Sequence, residues 1–304
     1  MKSFVIDIAK CNGCYNCQVA CKEEHVGNDW TPYARPQPDT GQFWMKLHEK
    51  VRGTVPKVKV TYVPTPCMHC GDAKCIASCA PGAIYRRDDG LVIIDPIKCT
   101  GCMGCIDVCP YGAIYFNRDM NLAQKCTGCG HLLDKGWKEP RCADVCPTGA
   151  IRFGEEAELK GLIEGADVLC PEEGARPLVH YRNLPKRFIA GSIFDAVEDE
   201  CLEGAKVTLA SVATPAPGQT AGMDSGADSG TDYCFRGDHG GQPKTGVTLV
   251  AATDAFGDFW FNQIDKAQYV LKIEKKGYVT RTIEAIDVSE KDVNLGDIEL
   301  QRAP

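Results

Sequence analysis

No stretch of this chain strings together the 18 or so apolar residues that would cross a bilayer as a helix, so no membrane insertion is expected. It has no Gly-rich phosphate loop, no dinucleotide fingerprint and no nucleophile set beside a base. Those absences argue against nucleotide, flavin or hydrolytic chemistry on this polypeptide, so it reads as a non-catalytic subunit. Basic residues are not in excess: 34 Lys and Arg face 41 Asp and Glu, whereas nucleic-acid binding would call for the reverse. The opening MKSFVIDIAKC reaches a cysteine before an apolar signal region could form. A cytoplasmic location is therefore expected, unless the folded chain is exported together with a partner that bears the signal.

Cysteine is abundant instead, with 19 in 304 residues. Sixteen lie between Cys11 and Cys146, and only Cys170, Cys201 and Cys234 lie beyond. A disulfide framework would scatter its cysteines at irregular intervals. Here they form four groups of four: Cys11, Cys14, Cys17, Cys21; Cys67, Cys70, Cys75, Cys79; Cys99, Cys102, Cys105, Cys109; and Cys126, Cys129, Cys142, Cys146. The first and third groups have C-x₂-C-x₂-C-x₃-C spacing, and the other two lengthen one interval. Three thiolates on one tight loop can cover three irons of a cube, and a fourth arrives from elsewhere. Paired knuckles that hold zinc are the competing reading, but they lack the recurring third close cysteine. The three remaining cysteines read as free thiols, with Cys201 and Cys234 as the pair that could bridge.

The groups sit in repeated phrases. APGAIY at 80–85, CPYGAIYF at 109–116 and CPTGAIRF at 146–153 each turn at Pro and Gly into a short strand. SFVIDIAKC at 3–11 and GLVIIDPIKC at 90–99 lead into a group. This order resembles the bacterial ferredoxin module, in which the fourth cysteine of each run serves the other cluster. That resemblance implies four [4Fe-4S] clusters. An inner module, about 60–120, would pair Cys67, Cys70, Cys75 with Cys109, and Cys99, Cys102, Cys105 with Cys79. The outer module would pair Cys11, Cys14, Cys17 with Cys146, and Cys126, Cys129, Cys142 with Cys21.

Charge is uneven. Residues 1–187 carry 24 basic against 22 acidic side chains, and 188–304 carry 10 against 19. Each oxidised cluster with its four thiolates adds about −2, which the basic surplus offsets. Lys10, Lys98 and Lys125 directly precede a first ligand, and Lys74 a third. A cation there would raise a cluster's potential; the alternative is a solvated lysine. His69, inside the second loop, reads as a hydrogen-bonding residue.

Residues 22–66 form a long connection with Trp30, Tyr33, Phe43 and Trp44. It is either a loop packed on its own domain or an arm for a larger partner. From about 188 the pattern changes to period-two runs at 205–212, 246–253, 257–264 and 269–276, which predict a β-sandwich of about seven strands. Residues 213–245, rich in Gly, Ser, Asp and Thr, read as a surface insertion. The fold class is α+β: a ferredoxin-like four-cluster domain over 1–187, then an all-β domain over 188–304.

The four-group order over residues 1 to about 155 resembles the iron–sulfur subunits of molybdopterin oxidoreductases. The resemblance implies a large catalytic subunit holding a molybdenum or tungsten bis-molybdopterin guanine dinucleotide, and an external electron donor or acceptor. TPCMHC at 65–70, NLAQKCTGCGHLLD at 121–134, GAKVTL at 204–209 and TDAFGDFWF at 253–261 are similar to the branch that serves aromatic transhydroxylases, whose sandwich is transthyretin-like. That branch is expected to lack the ligands matching Cys79, Cys99, Cys102 and Cys105, all of which this chain keeps. A complete relay suits an aromatic hydroxylase or dehydroxylase. The alternatives are the same relay in an oxyanion or sulfur-compound reductase, and a free-standing polyferredoxin. Anaerobic purification should yield about 16 iron atoms and as many acid-labile sulfides per chain. Stoichiometric zinc in their place would refute the cluster reading.

Overall fold

The computed structural model describes residues 1–212 and 246–304. They divide into two units: residues 1–50 and 61–184, and residues 51–60 together with the chain after 184.

The first unit is built from short strands joined by cysteine loops. Strand Lys2–Asp7 is apolar at Phe4, Val5 and Ile6, all buried, as suits a strand covered on both faces. It pairs antiparallel with Ile151–Glu155 and parallel with Val179–Arg182. Two hairpins follow the same logic: Ile84–Arg86 with Val92–Ile94, and Ile114–Asn117 with Leu122–Lys125. The three Ala-Ile phrases thus each open a strand, at Ile84, Ile114 and Ile151.

Strand register relates the cysteine groups to one another. Ile6 faces Ile151, and these lie five residues before Cys11 and five after Cys146. Ile94 faces Ile84, again five residues before Cys99 and five after Cys79. In both cases the pairing aligns the first cysteine of one group with the last cysteine of another.

Each group ends in C-x₃-C, and the residues around it coil into a helical turn. Asn16–His25 carries Cys17 and Cys21; Lys74–Ala77, Gly104–Asp107 and Arg141–Asp144 carry or adjoin the other three pairs. Residues four apart on a helix share a face. The turns associate two by two, Asn16–His25 with Arg141–Asp144 and Lys74–Ala77 with Gly104–Asp107.

The connection after the first group is not a bare loop. Lys46–Thr54 and Lys57–Thr65 form a hairpin, whose tip, Val51–Val60, falls in the second unit. Alternation of Val and Lys along 55–60 is the strand signal that the Trp- and Pro-rich start of the segment obscures. Trp44 and Met45 are buried in the first unit's core, and Trp30 stacks on His131 at 4.3 Å. These aromatics serve their own domain.

The second unit has two sheets over one core. Arg187–Asp195 lies between Asp258–Ile264 and Val293–Leu300; the other sheet runs Thr248–Ala252, Lys206–Val212, Gln268–Glu274, Arg281–Asp287. Ile189, Ile193, Phe259 and Phe261 of the first meet Val207, Leu209, Leu271 and Ile273 of the second. The period-two runs became strands because their alternate residues are these core residues. Arg187–Asp195 carries no clean alternation, being buried at most positions, and it is the central strand of its sheet. Lys57 pairs with Asp258 and Arg52 with Asp292 at 3.3 Å within this unit. Among the described residues no helix is long and apolar enough to cross a membrane.

Leu271 is fully buried between the sheets. Leu271→Ala should destabilise the second unit by about 3 kcal/mol, seen as an earlier thermal transition by circular dichroism, with iron per chain unchanged.

Candidate metal centres

The sixteen clustered cysteines are all free thiols in the first unit. Cys67, Cys70, Cys75 and Cys109 line one cavity, with Met68, His69 and Tyr111. Cys79, Cys99, Cys102 and Cys105 line a second, with Pro81, Ala83, Ile94 and Met103. The cysteines of the other two sets lie close enough for each thiolate to disfavour ionisation of its neighbours. Cys17 feels Cys11, Cys146 and Cys14, and Cys142 feels Cys129, Cys126 and Cys21.

Contacts between sets are as orderly as those within them. Cys142 also feels Cys17, Cys126 feels Cys67 and receives its N–H, and Cys105 feels Cys75. Neighbouring sets are therefore coupled in the order Cys11 set, Cys126 set, Cys67 set, Cys99 set.

Burial, then neighbouring thiolates, push Cys17, Cys70 and Cys105 up to about 12 and Cys75 and Cys126 to about 11. Cys21 and Cys142 are raised further by the same causes. Such thiols ionise at neutral pH only when a cation draws them. Cys146 goes the other way. Burial raises it, but N–H groups of Ile151, Ala150 and Thr148 and the Thr148 hydroxyl together outweigh that and lower it. Further N–H···S contacts run from His69 to Cys67 at 3.5 Å, Gly128 to Cys126 at 3.4 Å and Ala123 to Cys99 at 3.4 Å.

Cavity and donor chemistry decide between a cube and a single ion. A zinc ion with Zn–S of about 2.3 Å would draw its sulfurs to within about 3.8 Å of each other. Among the described residues no three His, Cys, Asp or Glu side chains converge closely enough for one metal ion. The thiols instead surround a space and face it with N–H donors, which fits an iron–sulfide cube.

The loops need a left-handed residue between their first two cysteines. Gly101 has φ 71°, and a Cβ there would lie 2.4 Å from the Asn121 carbonyl oxygen. Gly13 and Gly128 hold the same place in their loops. In the second loop His69 holds it, at φ 44°, a conformation costly for any residue with a Cβ. Its Nδ1 accepts the Val92 N–H at 2.9 Å, which fastens the ring.

The lysines separate into two kinds. Lys10, Lys98 and Lys74 have side chains 59, 63 and 48% exposed and pair with Asp7, Asp95 and Glu173. Lys125 is 2% exposed, donates to the Val92 and Cys126 carbonyls, and among the described residues has no carboxylate partner. Sequence spacing treats the four alike; the hairpin pairing of Leu122–Lys125 turns only the last inward.

A buried network beside the Cys126 set escaped the sequence reading. Glu24 accepts from His131 at 3.0 Å and meets Arg141 at 3.5 Å; His25 packs on Trp44 at 4.6 Å. His25 and Glu24 lie on the helix of Cys21, and the only signal was that shared helix. Beyond the groups, Cys201 is a free, exposed thiol, so the Cys201–Cys234 bridge does not form. Cys170 is buried and disulfide-bonded, which corrects the free-thiol reading there. Cys234 and the 213–245 insertion lie outside the described residues.

A family model described as a 4Fe-4S dicluster domain matches residues 58–156. The chain is similar to the pyrogallol hydroxytransferase small subunit of Pelobacter acidigallici, with 38% identity over 308 residues, 97% of this chain and 98% of the relative. It is also similar to the arsenate respiratory reductase iron-sulfur subunit ArrB of a Shewanella species, with 42% identity over 37% of this chain and 44% of the relative. A putative dimethyl sulfoxide reductase iron-sulfur subunit of Halobacterium salinarum is 33% identical over 43% of this chain and 58% of the relative. The chain thus spans one relative almost whole and the other two over less than two thirds of their length.

Gly101→Ala would force a Cβ against the Asn121 backbone in the loop of Cys99 and Cys102. The variant should lose about four irons per chain, measured by iron assay on anaerobically purified protein.

Proposed function

This chain belongs to the iron–sulfur subunits of the molybdopterin oxidoreductase family, and from that premise we propose that it relays electrons through four [4Fe-4S] clusters to or from a molybdopterin catalytic subunit that hydroxylates, dehydroxylates or transhydroxylates phenolic compounds. The proposed ligands are Cys11, Cys14, Cys17, Cys146; Cys126, Cys129, Cys142, Cys21; Cys67, Cys70, Cys75, Cys109; and Cys99, Cys102, Cys105, Cys79. The grouping of the last two sets round separate cavities supports the assignment. When bound, each cluster supplies a one-electron relay site.

The protein's own part is to hold and insulate. Thiolates anchor the irons, backbone N–H groups face the sulfurs, and the linear order of the sets keeps each hop short. The first and fourth sets, at the two ends of that line, would face the catalytic subunit and the external donor or acceptor. The partner's molybdenum or tungsten cofactor and the substrate chemistry belong to that other polypeptide.

One observation carries the phenolic reading. Similarity to the pyrogallol hydroxytransferase subunit runs through both units, whereas similarity to the arsenate and dimethyl sulfoxide relatives covers less than half of this chain. We read the second unit as a transthyretin-like sandwich that goes with that branch. The partial relatives favour a second reading, the same relay in an oxyanion or sulfur-compound reductase.

Native anaerobic purification should deliver the chain together with a large subunit containing molybdenum or tungsten. Adding phenolic compounds should change the visible absorption of the clusters within turnover time. A response to arsenate, tetrathionate or sulfoxides instead would favour the second reading. A lone monomer on size-exclusion chromatography would reject the complex.

A further inference from the structure

His69 and Tyr111 both line the cavity of the Cys67 set, and each has a buried polar atom with no hydrogen-bond partner in the protein, Nε2 and Oη respectively. A buried donor without a partner is costly, so two on residues of one cavity call for an acceptor there. The His69 proton is placed by its neighbour. Val92 N–H donates to Nδ1, so Nδ1 carries the lone pair and the neutral ring carries its hydrogen on Nε2. The Tyr111 hydroxyl lies close enough to Cys70 and Cys109 to feel both. Lys125 adds a full charge. It is held by the Val92 carbonyl on the other side of the same residue that fastens His69, and it acts on Cys75 and Cys109 of this set as well as on Cys126 of the adjoining one.

The neighbouring cavity has none of this. Apart from its four thiols and Thr100 it is lined by Pro81, Ala83, Ile84, Ile94, Met103 and Ala123, and none of the unpartnered buried polar atoms of the described residues lies on it.

We propose that His69, Tyr111 and Lys125 form a donor set centred on the cluster of Cys67, Cys70, Cys75 and Cys109, which stabilises its reduced state and raises its potential. The step concerned is one electron entering that cluster from an adjacent one; no bond forms or breaks, and the net charge with four thiolates goes from about −2 to about −3. Hydrogen bonds to sulfur and a buried cation both favour the more negative state. The left-handed strain at His69 then has a reason: glycine would suit the backbone but would supply no side-chain N–H.

This inference rests on the cluster assignment proposed above, and the experiment separates the two. Redox titrations of the purified complex, followed by electron paramagnetic resonance, would compare wild type with Tyr111→Phe, Lys125→Met and Lys125→Arg, each checked for iron. Tyr111→Phe removes one unpartnered oxygen and should fold unchanged. The expected result is a negative shift of one of four midpoint potentials in Tyr111→Phe, a larger one in Lys125→Met, and restoration in Lys125→Arg. Wild-type protein labelled with ¹⁵N-histidine should also show a nitrogen hyperfine coupling to one reduced cluster, lost in His69→Gln. Full iron with potentials unmoved in both Tyr111→Phe and Lys125→Met, and no histidine coupling, would overturn the donor set while leaving the clusters standing. Iron absent from wild type would instead overturn the cluster reading itself.

Discussion

A buried thiolate is costly, and this chain gathers sixteen cysteines into about 150 residues with many of them out of reach of water. Desolvation and mutual repulsion work in the same direction, so the thiols by themselves hold their protons tightly. Only a cationic core inserted among the sulfurs reverses that balance. Folding of the first unit and occupation of its sites are therefore linked, since metal that binds the folded sets and not the open chain stabilises the fold by mass action. The backbone is arranged to suit the charged form, with N–H groups aimed at Cys67, Cys99, Cys126 and Cys146.

The same arrangement produces the relay. Cys75 and Cys79, and likewise Cys105 and Cys109, lie four apart yet line two different cavities, so these C-x₃-C pairs link adjacent sites. Paired strands then bring the last cysteine of one group level with the first cysteine of another. Proximity of the sites is thus a consequence of local coil geometry and strand register, and electron hopping needs nothing more from the fold than that closeness.

Much of this was legible in the residues. C-x₂-C-x₂-C-x₃-C fixes three donors on one loop and a fourth one helical turn further on, because the chain between them is too short to carry them far apart. Pro-x-Gly-Ala-Ile marks a turn and a strand, and the period-two runs near 207, 249, 259 and 271 mark strands with one face inward. Other features were not legible, for stated reasons. The hairpin at Lys46–Thr65 lay hidden in a segment dominated by Trp and Pro. Strand Arg187–Asp195 is buried on most positions and so shows no alternation. Four lysines beside ligands look equivalent until hairpin pairing buries Lys125 and leaves three at the surface. Tyr111 follows a Pro in an ordinary turn phrase, and nothing in that phrase says its hydroxyl ends without a partner.

By itself the sequence determined the donor chemistry, the number of donor groups and the boundary in texture near residue 187, because each depends on residue type and on spacings of a few bonds. Only the tertiary structure decided which distant groups meet, the order in which the sites line up, and which cation and which hydroxyl turn inward. Those outcomes depend on strand register and burial, and both arise from contacts between residues far apart in the chain, whose energies no local pattern encodes.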